Sequence, residues 1–254
     1  MNIRIGIIGG SGLENAIEGE KVSVNTPYGE VHVKIGVMAN EKVAFIPRHG
    51  ERHETPPHKV NYRGNLWALK TLGVERVIAT NAVGGIRDGL NPGDLLVPHD
   101  FIDFTKGRTY TFYDQKAVHI DLTTPYCPEI RRIIIEVAEE MGVKIWDGGV
   151  YVCTEGPRFE TPSEIRMFRL LGADVVGMTG VPEVILAREL KMCYATICVI
   201  TNYAAGMQKR ISHEEVNEIM KEKTRVIVEI MNRVVQRIPV ERKNCMCGLW
   251  GTNI

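Results

Sequence analysis

The sequence has no surplus of either charge, no long apolar run and no complete nucleotide-binding or hydrolase signature, and each gap excludes a class of function. Lys plus Arg number 31 and Asp plus Glu number 31, so the formal net charge is zero. Holding a phosphate backbone or an anionic membrane needs excess cation, so neither nucleic acid nor membrane is expected as a partner. No apolar stretch approaches the roughly 18 residues of a transmembrane helix. Met1-Asn2-Ile3-Arg4 runs straight into a strand-like segment and lacks the zones of a signal peptide, so a cytoplasmic setting is expected. No repeat, linker or low-complexity segment interrupts the chain. The glycines at 9, 10 and 12 fail the dinucleotide fingerprint, because Asn15 takes its last glycine position. They also fail as a nucleophile elbow, because Leu13 replaces the final glycine of G-x-S-x-G, and there is no Walker lysine. His49, His53 and His58 lack zinc-protease spacing, and Pro56-Pro57 breaks any helix between the last two, so no metal is expected there.

What is present reads as a folded α/β chain. It has 254 residues, of which 44% are hydrophobic and 24% charged, enough for one large domain with a real core. Strand-like runs fall at 3–8, 21–25, 30–37, 42–47, 75–80, 149–153, 174–177 and 194–200. Helical spacing fits 61–72, 128–141, 162–171, 183–190 and 213–237. Residues 91–126 look irregular, with short strands. Ser212 with Glu215 predicts a capping box at the last helix, whose apolar face carries Val216, Ile219, Met220, Ile227, Ile230, Met231 and Val234. From residue 61 strands alternate with helices, which is an α/β layout. The domain is expected to span 1–238, followed by a loosely held tail over 239–254.

Of six cysteines, Cys127, Cys153, Cys193 and Cys198 sit in apolar or strand-like contexts and read as buried thiols. Cys245-Met246-Cys247 is a C-x-C in a polar segment, open to a redox or disulfide role. No metal is expected, since no second ligand pair lies nearby in sequence.

Sites of open α/β sheets lie at the carboxyl ends of strands. Loops at 9–12, 47–50, 80–85, 154–160 with 178–183, and 201–206 follow strands here. The chain is organised around Thr154-Glu155-Gly156-Pro157-Arg158-Phe159-Glu160, which sets an aromatic face beside two carboxylates. A flat heterocycle could lie on Phe159 while a carboxylate meets its N–H edge. Gly9, Gly10 and Gly12 suggest a nest of inward amides at positive φ, with the Ser11 hydroxyl as an extra donor. The Arg48 fork and a His49 imidazole donor suit a tetrahedral oxyanion.

The segments GIIGGSGL, PRHGERH, KVNYRGN, TNAVGG, TEGPRFET, VVGMTGVPE and ITNYAAG occur in that order. With them the chain resembles the trimeric purine nucleoside phosphorylase and methylthioadenosine phosphorylase family over roughly residues 3–235. The resemblance implies a single α/β domain whose central mixed β-sheet curls toward a barrel and is flanked by helices. It implies a homotrimer or a dimer of trimers, and no cofactor, with inorganic phosphate as co-substrate. By this resemblance Ser11, Arg48, His49, Asn81, Ala82 and Thr179 contact phosphate. Met178 packs under the ribose, Thr201 lies near it, and Phe159 packs on the base. Glu160 and Asn202 read the base, and with His49 form the catalytic set; Tyr203 and Ala204 belong to the same substrate-binding stretch. His213 contacts the 5′-hydroxyl, and His119 approaches the 5′ end of a neighbour's ligand.

Adenosine-type members of that family carry a small hydroxyl residue at position 160 and an aspartate at 202; this chain departs from them at both. Ionised Glu160 can only accept, which suits the N1–H of hypoxanthine or guanine and leaves the bare N1 of adenine unpaired. An unpaired buried polar group costs about 1–3 kcal/mol. A 6-oxopurine nucleoside, inosine or guanosine, is the expected substrate, with methylthioinosine or methylthioadenosine as the alternative. A nucleoside hydrolase and a non-catalytic binding protein are the rival readings.

Overall fold

The computed structural model describes residues 3–249. In chain order the strands are β1 (Ile5–Gly9), β2 (Gly19–Thr26), β3 (Gly29–Met38), β4 (Glu41–Pro47), β5 (Arg76–Gly85), β6 (Leu95–Val97), β7 (Asp100–Phe104), β8 (Ile145–Asp147), β9 (Val150–Thr154), β10 (Val175–Gly177) and β11 (Cys193–Tyr203). The helices are α1 (Tyr62–Thr71), α2 (Pro128–Glu140), α3 (Pro162–Leu170), α4 (Gly180–Glu189) and α5 (His213–Arg237). All strands join one mixed sheet in the order β2-β3-β4-β1-β5-β10-β9-β7, with β11 on β5, then β6 and β8 beyond it. Apolar residues of α1 and α4 pack with one cluster of sheet side chains, and those of α2 and α5 with another. Helix α3 covers a third, smaller cluster through Ile165 and Phe168. The expected mixed sheet flanked by helices is therefore the observed architecture. No helix among the described residues is long and apolar enough to cross a membrane.

Local signals explain the helix starts. Thr161 caps α3 by accepting from the Glu164 amide at 3.2 Å, and the Glu164 carboxylate accepts from the Thr161 amide at 2.7 Å. This is a full capping box, with Pro162 in the first turn. At α5 Ser212 accepts from the Glu215 amide at 3.2 Å. The other half of the expected box does not form, because the Glu215 carboxylate takes the Gln208 amide at 2.8 Å instead.

Two strands outrun their sequence pattern. Residues 80–85 and 201–203, expected as loops, continue β5 and β11, because the two strands pair in parallel from Arg76 with Cys193 to Gly85 with Tyr203. A continuous ladder overrides the glycine and asparagine that read as turn chemistry. Strand β8, unanticipated, is a three-residue partner of β6.

Strand β5 is also where the sheet forks. On the side opposite β11 it pairs with β1 from Arg76 to Ala79, then with β10 at Gly84 and Gly85. Residues 80–83 have no strand on that side among the described residues. A divergence between neighbouring strands is the place where open sheets admit ligands. A bulge in β11 accompanies the fork: Ile200 pairs with Val83 and Asn202 with Gly84, leaving Thr201 as the extra residue.

The segment after α5, expected to be loosely held, is tied down as far as it is described. Arg4 donates to the carbonyls of Ile238 and Pro239, and Arg242 to that of Lys191 at 2.8 Å. Residues 1–2 of the expected domain and 250–254 of the expected tail lie outside the described residues.

Candidate active site

A cavity of about 320 Å³ opens at the fork of β5. Ser11, Arg48, His49, Asn81, Ala82 and Thr179 line one part of it. Phe159, Glu160, Met178, Thr201 and Asn202 line another, and His213 stands at its edge on the first turn of α5. These residues come from seven segments, so the topology gathers nearly the whole set expected from sequence. Tyr203, Ala204 and His119 are not brought to the wall. Tyr203 donates its hydroxyl to Asn91 at 2.9 Å, Ala204 is buried in the small core under α3, and His119 lies exposed in an irregular stretch.

The first wall, where the sequence places an anion, is a set of side chains held by other side chains. Arg48 follows the end of β4 and is buried. Its Nε and Nη2 donate to the two Glu183 oxygens, each at 2.7 Å, and Nη1 donates to the Thr80 carbonyl at 2.8 Å. Three of the five guanidinium N–H groups are thus engaged, and two remain for a ligand. Burial opposes its charge, but the Glu183 carboxylate more than offsets this and raises its pKa. Tyr194 donates to Glu183 at 2.6 Å, which fixes the carboxylate in turn. Asn81 receives the Thr179 hydroxyl at 2.8 Å and donates to Thr196 at 2.7 Å. Its amide therefore positions Thr179 across the cavity floor.

The backbone of β5 adds a donor. Peptide groups of successive strand residues point to opposite sides. The Thr80 carbonyl faces the fork, since it takes Arg48. By alternation Ala82 presents its N–H to the same side, at a place with no strand to take it.

Two expectations about this wall are corrected. The glycine turn is not a nest of free amides. Of Gly9, Gly10 and Gly12, Gly12 alone has positive φ, 77°. The Gly10 amide donates to Thr80 Oγ1 at 2.9 Å and that of Gly12 to Glu14 at 3.1 Å. Gly10 is needed for close approach: a Cβ there would sit 2.6 Å from the Thr80 carbonyl oxygen. His49 is not set up as a charged donor either. Burial, then the nearby Arg48 charge, pushes its pKa down to about 4. Its Nδ1 lies 2.8 Å from the Thr55 carbonyl, which can only accept, so Nδ1 carries the proton and Nε2 accepts. His53 stacks on His49 at 4.5 Å and places its Nδ1 2.8 Å from Glu14.

The second wall is looser. Phe159 is 38% exposed. Glu160 is mostly buried, and burial raises its pKa even though Thr154 donates to Oε1 at 2.7 Å. That bond leaves Oε2 for a ligand. Asn202 accepts from the Thr201 hydroxyl at 3.0 Å and donates to the Tyr203 carbonyl at 2.9 Å, which leaves one N–H and one lone pair. The β11 bulge explains how two consecutive strand residues, Thr201 and Asn202, both reach the cavity. The other carboxylate of the central loop, Glu155, turns away. It accepts from the Lys106 amide at 2.7 Å and lies 3.6 Å from Arg108.

Sequence reasoning missed the supports. Glu183, Thr80, Thr154 and Thr196 each hold a wall residue in place. Arg108, in the stretch read as irregular, donates to the carbonyls of Val181 at 2.7 Å and Glu155 at 2.7 Å, tying the central loop to α4. Only Glu183, Thr80 and Thr154 lay inside quoted motifs; nothing marks Arg108 or Thr196.

The model of the phosphorylase superfamily matches residues 4–236. The chain belongs to the phosphorylase superfamily. Within it, a probable 6-oxopurine nucleoside phosphorylase of Dictyoglomus turgidum is 52% identical, covering 96% of this chain and 95% of that one. A probable S-methyl-5′-thioinosine phosphorylase of Methanopyrus kandleri is 51% identical, covering 96% of each. Among solved structures, the methylthioadenosine phosphorylase of Schistosoma mansoni in complex with adenine is 33% identical, with a TM-score of 0.89 over 95% of this chain and 93% of that one.

Proposed function

We propose that this superfamily member cleaves the N-glycosidic bond of 6-oxopurine nucleosides with inorganic phosphate, giving free base and ribose 1-phosphate. The observation that carries this reading is Glu160, with Oε1 held by Thr154 and Oε2 left over, lining the same cavity as Asn202. Oε2 accepts the purine N1–H, and the Asn202 amide meets the O6 and N7 edge. Phe159 covers the base and Met178 the sugar. Phosphate sits against Arg48, Thr179, Ser11 and the Ala82 amide, and its P–OH donates to His49 Nε2. Cleavage builds positive charge on the sugar and negative charge on the base, so groups fixed beforehand beside both charges lower the barrier. The reading needs no cofactor. Its product is released in a cytoplasmic setting, and the subunits form trimers, singly or in pairs, with His119 reaching a neighbour's site.

The test is phosphorolysis of inosine and adenosine, each with and without phosphate. Phosphate-dependent cleavage of inosine well above adenosine supports the reading. Equal rates remove the role given to Glu160, and cleavage indifferent to phosphate makes the protein a hydrolase.

A second reading, methylthioinosine as substrate, is favoured by the Methanopyrus kandleri relative. A His213→Val variant shifts preference toward the methylthio nucleoside if His213 reads the 5′ group; an unchanged ratio excludes that role.

A further inference from the structure

The amino ends of the same two central strands carry a second constellation. Arg76 opens β5 and pairs in register with Cys193, which opens β11. Cys127 is the residue that caps α2, and Cys245 and Cys247 arrive from the segment after α5. The Sγ atoms of Cys127, Cys193, Cys245 and Cys247 all lie within 4.8 Å of one another. The C-x-C thus meets the second pair of thiols that its sequence neighbourhood lacked. One comes from 118 residues before Cys245 (245 − 127) and the other from 52 before it (245 − 193). The premise on which a metal was excluded does not hold in space.

Distances favour coordination over pairing. A disulfide needs sulfurs about 2.05 Å apart. Four sulfurs around one zinc ion, each at about 2.3 Å, sit about 3.8 Å from one another. Cys193 and Cys245 are 3.6 Å apart, and all six cysteines are free thiols. Cys127, Cys193 and Cys247 are buried and Cys245 is half-buried, which suits a closed site with no open coordination position.

The surroundings fit a thiolate cluster. The buried Arg76 guanidinium donates to Cys193 Sγ at 3.0 Å and reaches Cys245 Sγ at 3.9 Å, offsetting part of the negative charge of four thiolates. It also donates to Glu129 Oε2 at 3.0 Å. Glu129 Oε1 accepts the amides of Lys243 and Asn244, each at 3.1 Å, and so fixes the turn that presents Cys245. Outer partners that orient ligands in this way are as much a part of metal sites as the ligands.

We propose that Cys127, Cys193, Cys245 and Cys247 bind one zinc ion that clamps the segment after α5 to the start of α2 and the amino end of β11. Binding is not a redox step: each thiol gives up its proton to solvent and its sulfur keeps the electron pair it shares with the metal. The site is structural. Cys193 and Thr201 lie eight positions apart along β11, roughly 26 Å at about 3.3 Å per residue, so the clamp lies far from the cavity.

The experiment uses the full chain, expressed with zinc in the medium and purified without chelator. Elemental analysis is expected to find about one zinc per chain. Mass mapping of alkylated, non-reduced protein is expected to find these four thiols protected until zinc is stripped with a strong chelator under mild denaturation. A C245S/C247S double variant is expected to lose the zinc and unfold at lower temperature while keeping its phosphorolytic kcat at moderate temperature. A C198S control keeps its zinc. Zinc far below one equivalent in the wild-type protein, or disulfides mapped among these four cysteines after anaerobic handling, overturns the proposal without touching the reading of the cavity. Should the double variant fail to fold, the wild-type metal content and thiol mapping decide alone.

Discussion

The two walls of the cavity are built by opposite means. The anion wall is buried and rigid: Arg48 sits on Glu183, Glu183 on Tyr194, and Asn81 joins Thr179 to Thr196. Most of its polar atoms already have partners, and what remains points at the cavity. The second wall sets a part-exposed Phe159 and a carboxylate held by one hydroxyl, both on the loop after β9, against Asn202 on the buried strand β11. On the proposed reading, the difference matches what each ligand demands. A tetrahedral anion is the same for every nucleoside, and preorganised donors serve it best. The base is what varies between substrates, and two of the side chains expected to face it, Phe159 and Glu160, lie on a loop and can be exchanged without disturbing the sheet.

The comparison predicts that damage to the two walls has different consequences. The largest effect is expected from Glu183→Ala, which strands the buried Arg48 charge. Breaking such a pair costs about 3–5 kcal/mol, and the unfolding midpoint should fall by roughly 10 °C. A midpoint within a degree of wild type would mean that the rigidity of the anion wall does not rest on this pair.

Next comes Glu160→Gln, which keeps the shape of the base wall and removes its charge. Loss of one hydrogen bond to a charged group predicts a roughly 10–10²-fold fall in kcat/KM for inosine, with little change in the phosphate KM or in stability. A parallel rise in the phosphate KM would show that the walls are coupled.

The pH profile separates the walls again. On the proposed reading Glu160 must be ionised to accept N1–H, and burial raises its pKa. Activity on inosine should therefore fall as pH drops through a value above that of an ordinary glutamate, and be fully present above it. His49, at about 4 in the free protein, is already neutral there and should not contribute to that limb. The Glu160→Gln variant should lose the limb; if it persists, another group carries it.

The smallest effect is expected for Thr154→Val, which frees Glu160 Oε1. A hydroxyl donor to a carboxylate that keeps its other contacts is worth about 1.5 kcal/mol, the low end for a bond to a charged group, so kcat/KM for inosine should drop by roughly tenfold. No measurable change would mean the carboxylate is positioned by its backbone alone.

The parts legible in the sequence are those that travel in contiguous motifs. Arg48, Asn81, Glu160, Thr179 and Asn202 all reach the cavity expected of them. Glu183 lay in a quoted motif, yet its partner Arg48 is 135 residues away, and no local pattern announces such a bond. The same holds for Arg108 and for the cysteine cluster, whose members come from the start of α2, the start of β11 and the segment after α5. Residues 80–85 and 201–203 have the composition of loops yet stay extended, because each lies against a neighbouring strand that composition does not reveal. The state of His49 was misjudged for a like reason, since its proton is fixed by the Thr55 carbonyl six residues on.

The unpaired stretch of β5 between β1 and β10 has a consequence for how this protein can change over generations. The Ala82 N–H belongs to the main chain, so no codon can delete it except by installing proline; heritable drift passes over it. Positions 160 and 202, by contrast, answer to single nucleotide changes. New substrates should therefore arise by rewriting those two letters, while the main-chain donor at Ala82 is passed on unaltered for as long as the strand keeps its path.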